Sequence, residues 1–87
     1  MYEIVVKSKK AEKQFYEVFN SREDVSEKLE KIKQNPREYL DAHKLKGRLA
    51  GLWGCSLGYD IRMVYKIDDE KKEIIVFSVG NHKEAYL

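Results

Sequence analysis

Trp53-Gly54-Cys55-Ser56-Leu57-Gly58-Tyr59-Asp60-Ile61-Arg62-Met63-Val64-Tyr65-Lys66-Ile67 is the stretch that decides the fold. Trp53, Cys55 and Leu57 alternate with Leu52, Gly54 and Ser56, and Ile61, Met63, Tyr65 and Ile67 alternate with Arg62, Val64 and Lys66. A period of two is that of a half-buried β-strand. Further along, Ile75, Phe77 and Val79 alternate with Ile74, Val76, Ser78 and Gly80. Three strands in meander order follow, joined by Gly58-Tyr59 and by the polar tip Asp68–Lys72. The odd-numbered residues from Trp53 to Val79 carry most of the large apolar side chains, so they are expected to face the core.

Towards the N-terminus the period changes. Tyr2–Lys7 is a short β-branched strand. Ser8 can cap a helix in which Ala11, Phe15, Val18 and Phe19 form a buried stripe. Ser21, with Asp24 three residues on, has the spacing of a capping box. It would open a second helix with Val25, Leu29 and Ile32 on its apolar face. That helix should stop near Asn35, because Pro36 disfavours helical geometry in the residue before it. Asn35-Pro36 can then open a short helical turn carrying Tyr39 and Leu40. The order β-α-α-β-β-β predicts one α+β domain over residues 1–87, with a helical pair on one face of an antiparallel sheet.

Hairpin arithmetic places the polar residues. With the last hairpin centred near residue 70, Arg62 falls opposite Ser78 and Asp60 opposite Gly80, with His82 one step beyond. A turn near Gly58-Tyr59 sets Ser56 opposite Arg62. Cross-strand and diagonal neighbours lie within about 5–8 Å. Ser56, Asp60, Arg62 and His82 should therefore meet on the sheet face away from the helices, unless a bulge shifts the register.

Composition narrows the class. With 43% apolar and 37% charged residues, the chain is globular rather than disordered. No apolar run approaches the length needed to span a bilayer, and MYEIVVKSKK lacks the order of a signal peptide. The single Cys55 cannot form an internal disulfide, which makes a reducing cytoplasm the expected setting. Residues 42–66 carry Lys44, Lys46, Arg48, Arg62 and Lys66 against one acid, Asp60. Such a segment favours a polyanionic partner, although on charge alone an ordinary solvated face is the default.

RNA cleavage without a metal needs a group to activate a 2′-hydroxyl, a cation to hold the phosphorane and an acid for the leaving 5′-oxygen. Histidine, with an unperturbed pKa near about 6.5, suits the first and last of these. Arginine, always charged and able to donate two parallel hydrogen bonds, suits the second. His43, His82 and the sheet-borne Arg62 all lie in the second half of the chain, with Asp60 available as a further acid or base. Two histidines and one widely spaced cysteine do not make a zinc site, and no phosphate loop, Ser-His-Asp order or EF-hand is present. Neither a metal nor a small-molecule cofactor is expected. Trp53 and Cys55 share the apolar parity, which predicts core packing for the indole rather than base stacking, and an inert buried thiol.

AHKLKG at 42–47, LWGCSL at 52–57, DIRMVY at 60–65 and GNHKEAY at 80–86 together resemble the C-terminal half of RelE/ParE superfamily toxins. The closest pattern is that of the YafQ-type ribosome-dependent endoribonucleases, and the likeness extends over nearly the whole chain. The resemblance implies catalytic roles for His43, Asp60 and His82, phosphate contact for Arg62, and base or ribose positioning for Tyr86. Lys44, Lys46, Arg48 and Ser56 would contact substrate. Ser56 stands where YafQ-like enzymes carry a further histidine, leaving one imidazole fewer for proton transfer. The implied partners are a cognate antitoxin, messenger RNA and the ribosome with its RNA. Two other readings share the fold: a ParE-like inhibitor of DNA gyrase, which such relatives generally achieve without the histidines, and a degenerate toxin that only binds its antitoxin.

Overall fold

Ser8 opens the first helix as its position implies. Its backbone is extended at φ −107° and ψ 149°, and its hydroxyl accepts the Ala11 amide at 3.0 Å. That bond satisfies one of the orphan donors of the first turn. The structure, a computed structural model, describes residues 1–86, the side chain of Glu84 excepted. Strand β1 (Glu3–Val6) leads into helices α1 (Lys9–Ser21) and α2 (Asp24–Gln34). There follow β2 (His43–Lys44), a single 3-10 turn at Gly47–Leu49, β3 (Trp53–Gly58), β4 (Ile61–Asp68), β5 (Glu73–Gly80) and the short helix α3 (His82–Ala85).

The expected α+β order is present, with one strand more than the sequence pattern shows. The sheet has five strands in the order β1-β5-β4-β3-β2. Neighbours from β2 to β5 are antiparallel, whereas β1 runs parallel to β5, with Ile4 opposite Ile74 and Val6 opposite Val76. Val25, Leu29 and Ile32 of α2 pack with Cys55, Leu57, Met63, Tyr65, Ile74, Val76 and Val79, and Phe15 and Val18 of α1 close the flank. Apolar burial of this kind supplies the main driving force for a small domain. Buried Tyr65 donates its hydroxyl to the Pro36 carbonyl at 2.6 Å, tying the segment after α2 to the core. Among the described residues no helix is long and apolar enough to cross a membrane.

Three local expectations are corrected. Ser21 does not open α2: it is the last residue of α1, and its hydroxyl donates to the Val18 carbonyl at 3.1 Å. Asp24 is engaged instead by Arg22 and Lys28, at 2.9 and 3.3 Å. The helical turn after Asn35-Pro36 does form, the Glu38 and Tyr39 amides donating to the Asn35 carbonyl at 3.4 and 3.5 Å, but it stops short of Leu40, because Leu40 and Asp41 both take positive φ, 59° and 57°. The third correction concerns register.

Tyr65 pairs with Val76 and Val64 with Ser78, so Phe77 is the extra residue of a bulge. Ahead of it the even residues Ile74 and Val76 are buried, and beyond it odd Val79 is, while Phe77 itself is 49% exposed. β1 ends opposite Val76, leaving that edge of β5 open, and the Val79 amide donates to the Gln14 side chain of α1 at 3.2 Å. The hairpin is itself offset by one residue from the expected register, Asp68 pairing with Glu73, and the bulge adds one more, so Arg62 lies opposite Gly80 and not Ser78, and Asp60 is not paired with Gly80. The expected pairing of Ser56 with Arg62 does form, next to a second irregularity between Ser56 and Gly58.

A polar clasp closes the opposite end of the sheet. Arg37 grips Asp69 with two bonds of 3.1 and 2.7 Å, and the Tyr2 hydroxyl donates to the same carboxylate. The Arg37 and Tyr2 bonds hold the Asp69 carboxyl down at about 2, below its ordinary 3.8. Because the folded chain binds this proton less readily than the unfolded chain, the clasp stabilises fully above about pH 4 and is lost as pH falls towards about 2. Asp69→Asn is therefore expected to melt below the parent protein at pH 7, with the gap closing between about pH 4 and about pH 2. Thermal melts across that range check this. A gap that stayed constant would place the clasp outside the acid response.

Candidate active site

Residues directly opposite each other in an antiparallel pair share a sheet face. Register therefore sets two rows on the face away from the helix pair. One row runs Ser56, Arg62, Gly80, and the other runs His43, Gly54, Val64, Ser78. Helix α3 docks over part of the second row. The Ser78 hydroxyl donates to the Ala85 carbonyl at 2.6 Å, and Ala85 and Val64 are both buried.

From α3 the chain delivers Tyr86 across the sheet. A Cβ at position 54 would meet the Tyr86 hydroxyl at 2.9 Å and the Leu45 side chain at 3.1 Å. Gly54 thus makes the seat in which the end of the Tyr86 ring rests, and any larger residue would press the hydroxyl out. The His82 ring stands edge-on to Tyr86, with centroids 4.6 Å apart. Partial burial raises the Tyr86 pKa, with the Arg62 charge acting in the opposite direction. The phenol therefore stays protonated at neutral pH and can donate a hydrogen bond.

Arg62 is anchored through one nitrogen, whose two hydrogens are shared among three acceptors. Its Nη1 donates to Ser56 Oγ at 3.2 Å, to the Tyr59 carbonyl at 3.1 Å and to the Ile61 carbonyl at 3.2 Å. Its Nη2 and Nε make no hydrogen bond among the described residues, which leaves one edge of the fork for an anion. On edge strand β2, His43 Nδ1 lies 2.9 Å from the Asp41 carbonyl. A carbonyl only accepts, so Nδ1 carries a proton, and in the neutral ring Nε2 presents its lone pair.

The structure thus brings together Arg62, Ser56, Tyr86 and His82, and the β2–β3 register sets His43 beside the Tyr86 seat. It does not bring in Asp60, which is exposed in the β3–β4 turn while the guanidinium turns to backbone carbonyls. Lys44 points to the other face, opposite Trp53, and Lys46 and Arg48 are exposed around the 3-10 turn. Cys55 is buried, and desolvation pushes its thiol up to about 12, so it is not a nucleophile at neutral pH. Among the described residues no group of three or more His, Cys, Asp or Glu is placed to hold a metal ion. Sequence reasoning passed over Gly54, although a glycine inside a strand pattern signals that something approaches the backbone closely.

Two helices on one face of a five-stranded, mostly antiparallel sheet, with a fixed arginine and an imidazole–phenol pair on the other, define a toxin of the RelE/ParE superfamily. Solved structures agree on the fold. The YoeB–YefM complex from Staphylococcus aureus is 26% identical, with a TM-score of 0.71 and coverage of 94% of this chain and 98% of that one. A YoeB/ParE toxin from Agrobacterium tumefaciens is 21% identical at a TM-score of 0.72, covering 92% and 98%. A YafQ mutant from E. coli is 18% identical at 0.67, covering 95% and 96%. No curated protein matches the chain by sequence. The family model described as the bacterial toxin of type II toxin–antitoxin system, YafQ, matches residues 4–86, and the chain belongs to that family.

Proposed function

We propose that this toxin is a metal-independent endoribonuclease that cuts messenger RNA on the ribosome and so halts translation. The observation that carries the reading is the single face on which Arg62, held rigidly, lies with the His82–Tyr86 pair and with His43. Those are the groups that 2′-hydroxyl attack on the adjacent phosphate requires. His43 Nε2 takes the 2′-proton, the free edge of Arg62 holds the phosphorane charge, and His82 protonates the departing 5′-oxygen. The products are a 2′,3′-cyclic phosphate and a 5′-hydroxyl end. Tyr86, kept neutral, donates to a phosphate or ribose oxygen, and Ser56 keeps Arg62 in place. Asp60, at the rim, has the lesser part of an orienting acid. Lys44, Lys46 and Arg48 draw in the RNA backbone.

Family membership supports a cognate antitoxin partner, as does the complex of the Staphylococcus aureus relative, and the antitoxin would silence the toxin by covering or distorting this face. The test is primer extension on messenger RNA in a translating extract, with and without ribosomes. New 5′ ends are expected only when ribosomes are present, and their loss when antitoxin is added. Intact message together with inhibited gyrase supercoiling would replace this reading with a ParE-like one.

A further inference from the structure

A second concavity lies around the edge of the sheet from the candidate active site. It encloses about 400 Å³ and is lined by Arg37, Lys44, Leu45, Gly51, Leu52 and Trp53. That size is within the range of small-ligand sites. Trp53 is only half-buried, packing on the core while also forming a wall of this cavity. The expectation of plain core packing therefore describes only part of its surroundings. Two cations flank the indole: the Arg37 guanidinium carbon is 5.8 Å from the ring centroid and Lys44 Nζ is 6.0 Å away. Both are at the outer limit of cation–π attraction, about 6 Å, so little is lost when another group takes the ring.

The two cations differ in what they can offer. Arg37 is held by Asp69 through two bonds and forms a fixed wall. Lys44 makes no ion pair among the described residues and is exposed, as are Lys46 and Arg48 in the loop between the lining residues Leu45 and Gly51. A partly accessible aromatic ring beside a lysine with no ion pair is an arrangement suited to single-stranded nucleic acid, with base on ring and phosphate on lysine. Topology links this cavity to the cleavage face. His43 and Lys44 are adjacent in the two-residue edge strand β2 and point to opposite faces. An RNA strand crossing that edge passes from one site directly to the other.

We propose that the Trp53 cavity is a nucleotide subsite for single-stranded RNA, with a base against the indole and its phosphate on Lys44. The proposal rests on the RNA-cleaving reading above and assigns a neighbouring nucleotide its place. Trp53 is the single tryptophan of the chain, so its emission reports on this cavity alone. A 2′-O-methyl RNA hexamer, which lacks the attacking hydroxyl and cannot be cut, is the probe. Titrated into the full chain at low salt, it is expected to quench Trp53 saturably. Lys44→Glu should weaken that binding about tenfold or more and lower the slope of log affinity against log salt by about one. His82→Ala should leave the quench in place.

Message and ribosomal RNA are separated by two further arms. If the nucleotide belongs to the message, Lys44→Glu slows cleavage while co-sedimentation with ribosomes is kept. If it belongs to ribosomal RNA, co-sedimentation falls as well. Absence of quenching up to millimolar hexamer, or quenching unchanged in Lys44→Glu, overturns the subsite even where the parent protein cuts message. Quenching that depends on Lys44, in a protein that leaves message intact, upholds the subsite and sinks the cleavage reading instead.

Discussion

Replacing Arg62 by alanine is expected to lower messenger RNA cleavage by about 10²–10³-fold with little change in folding, the usual cost of removing a preorganised charge from a transition state. The phosphorane carries more negative charge than the starting phosphodiester, so a fixed cation stabilises the transition state more than the bound substrate. Arg62 is fixed because Nη1 is held by Ser56 Oγ and by the Tyr59 and Ile61 carbonyls, while Nε and Nη2 make no hydrogen bond among the described residues. Lysine cannot reproduce this. An ammonium drawn to those three oxygens has no second, parallel pair of donors for the phosphate, so Arg62→Lys should recover only a small part of the loss. Ser56→Ala removes one of three anchors and should cost less than either. Single-turnover cleavage on programmed ribosomes gives these rates, and thermal melts show whether the fold is kept. An Arg62→Ala rate within tenfold of the parent would move the phosphate elsewhere.

The fold was readable because burial follows period. Val25, Leu29 and Ile32 at helical spacing, and Cys55, Leu57, Met63 and Tyr65 at strand spacing, are the residues that pack together. The Phe77 bulge was not readable. It follows from where β1 stops and from the Gln14 side chain that takes the Val79 amide, both tertiary facts. A one-residue offset in the hairpin, with Asp68 paired to Glu73, and the one-residue bulge together moved Arg62 opposite Gly80, two residues before His82, and left Asp60 beyond the end of the ladder. The predicted cluster thus kept its arginine and histidine while its acid fell to the rim. Strand β2 escaped notice because two residues carry no period, yet it is the pairing of His43 with Gly54 that draws the first histidine to the site.

Alanine at His82 should reduce cleavage by about 10²–10⁴-fold, the range for loss of a general acid or base, and stability should hardly change because the side chain is exposed. His82 opens α3 and stands edge-on to the Tyr86 ring at 4.6 Å, and among the described residues its ring nitrogens make no hydrogen bond, which leaves them for substrate. His43 differs, since the Asp41 carbonyl fixes its proton on Nδ1 and leaves Nε2 as an acceptor. In the proposed cleavage this asymmetry is why His43 is given the part of base and His82 that of acid, and the assignment can be separated from mere loss of activity. A message with sulfur in place of the bridging 5′-oxygen has a leaving group that departs without a proton. On that substrate His82→Ala should regain most of the parent rate, whereas His43→Ala should stay slow because the 2′-hydroxyl must still be deprotonated. Rescue of His43→Ala in place of His82→Ala would exchange the two roles. Rescue of neither would mean that His82 acts by holding Tyr86 over Gly54, and a disturbed Tyr86 ring in His82→Ala, seen by NMR, would then accompany the loss.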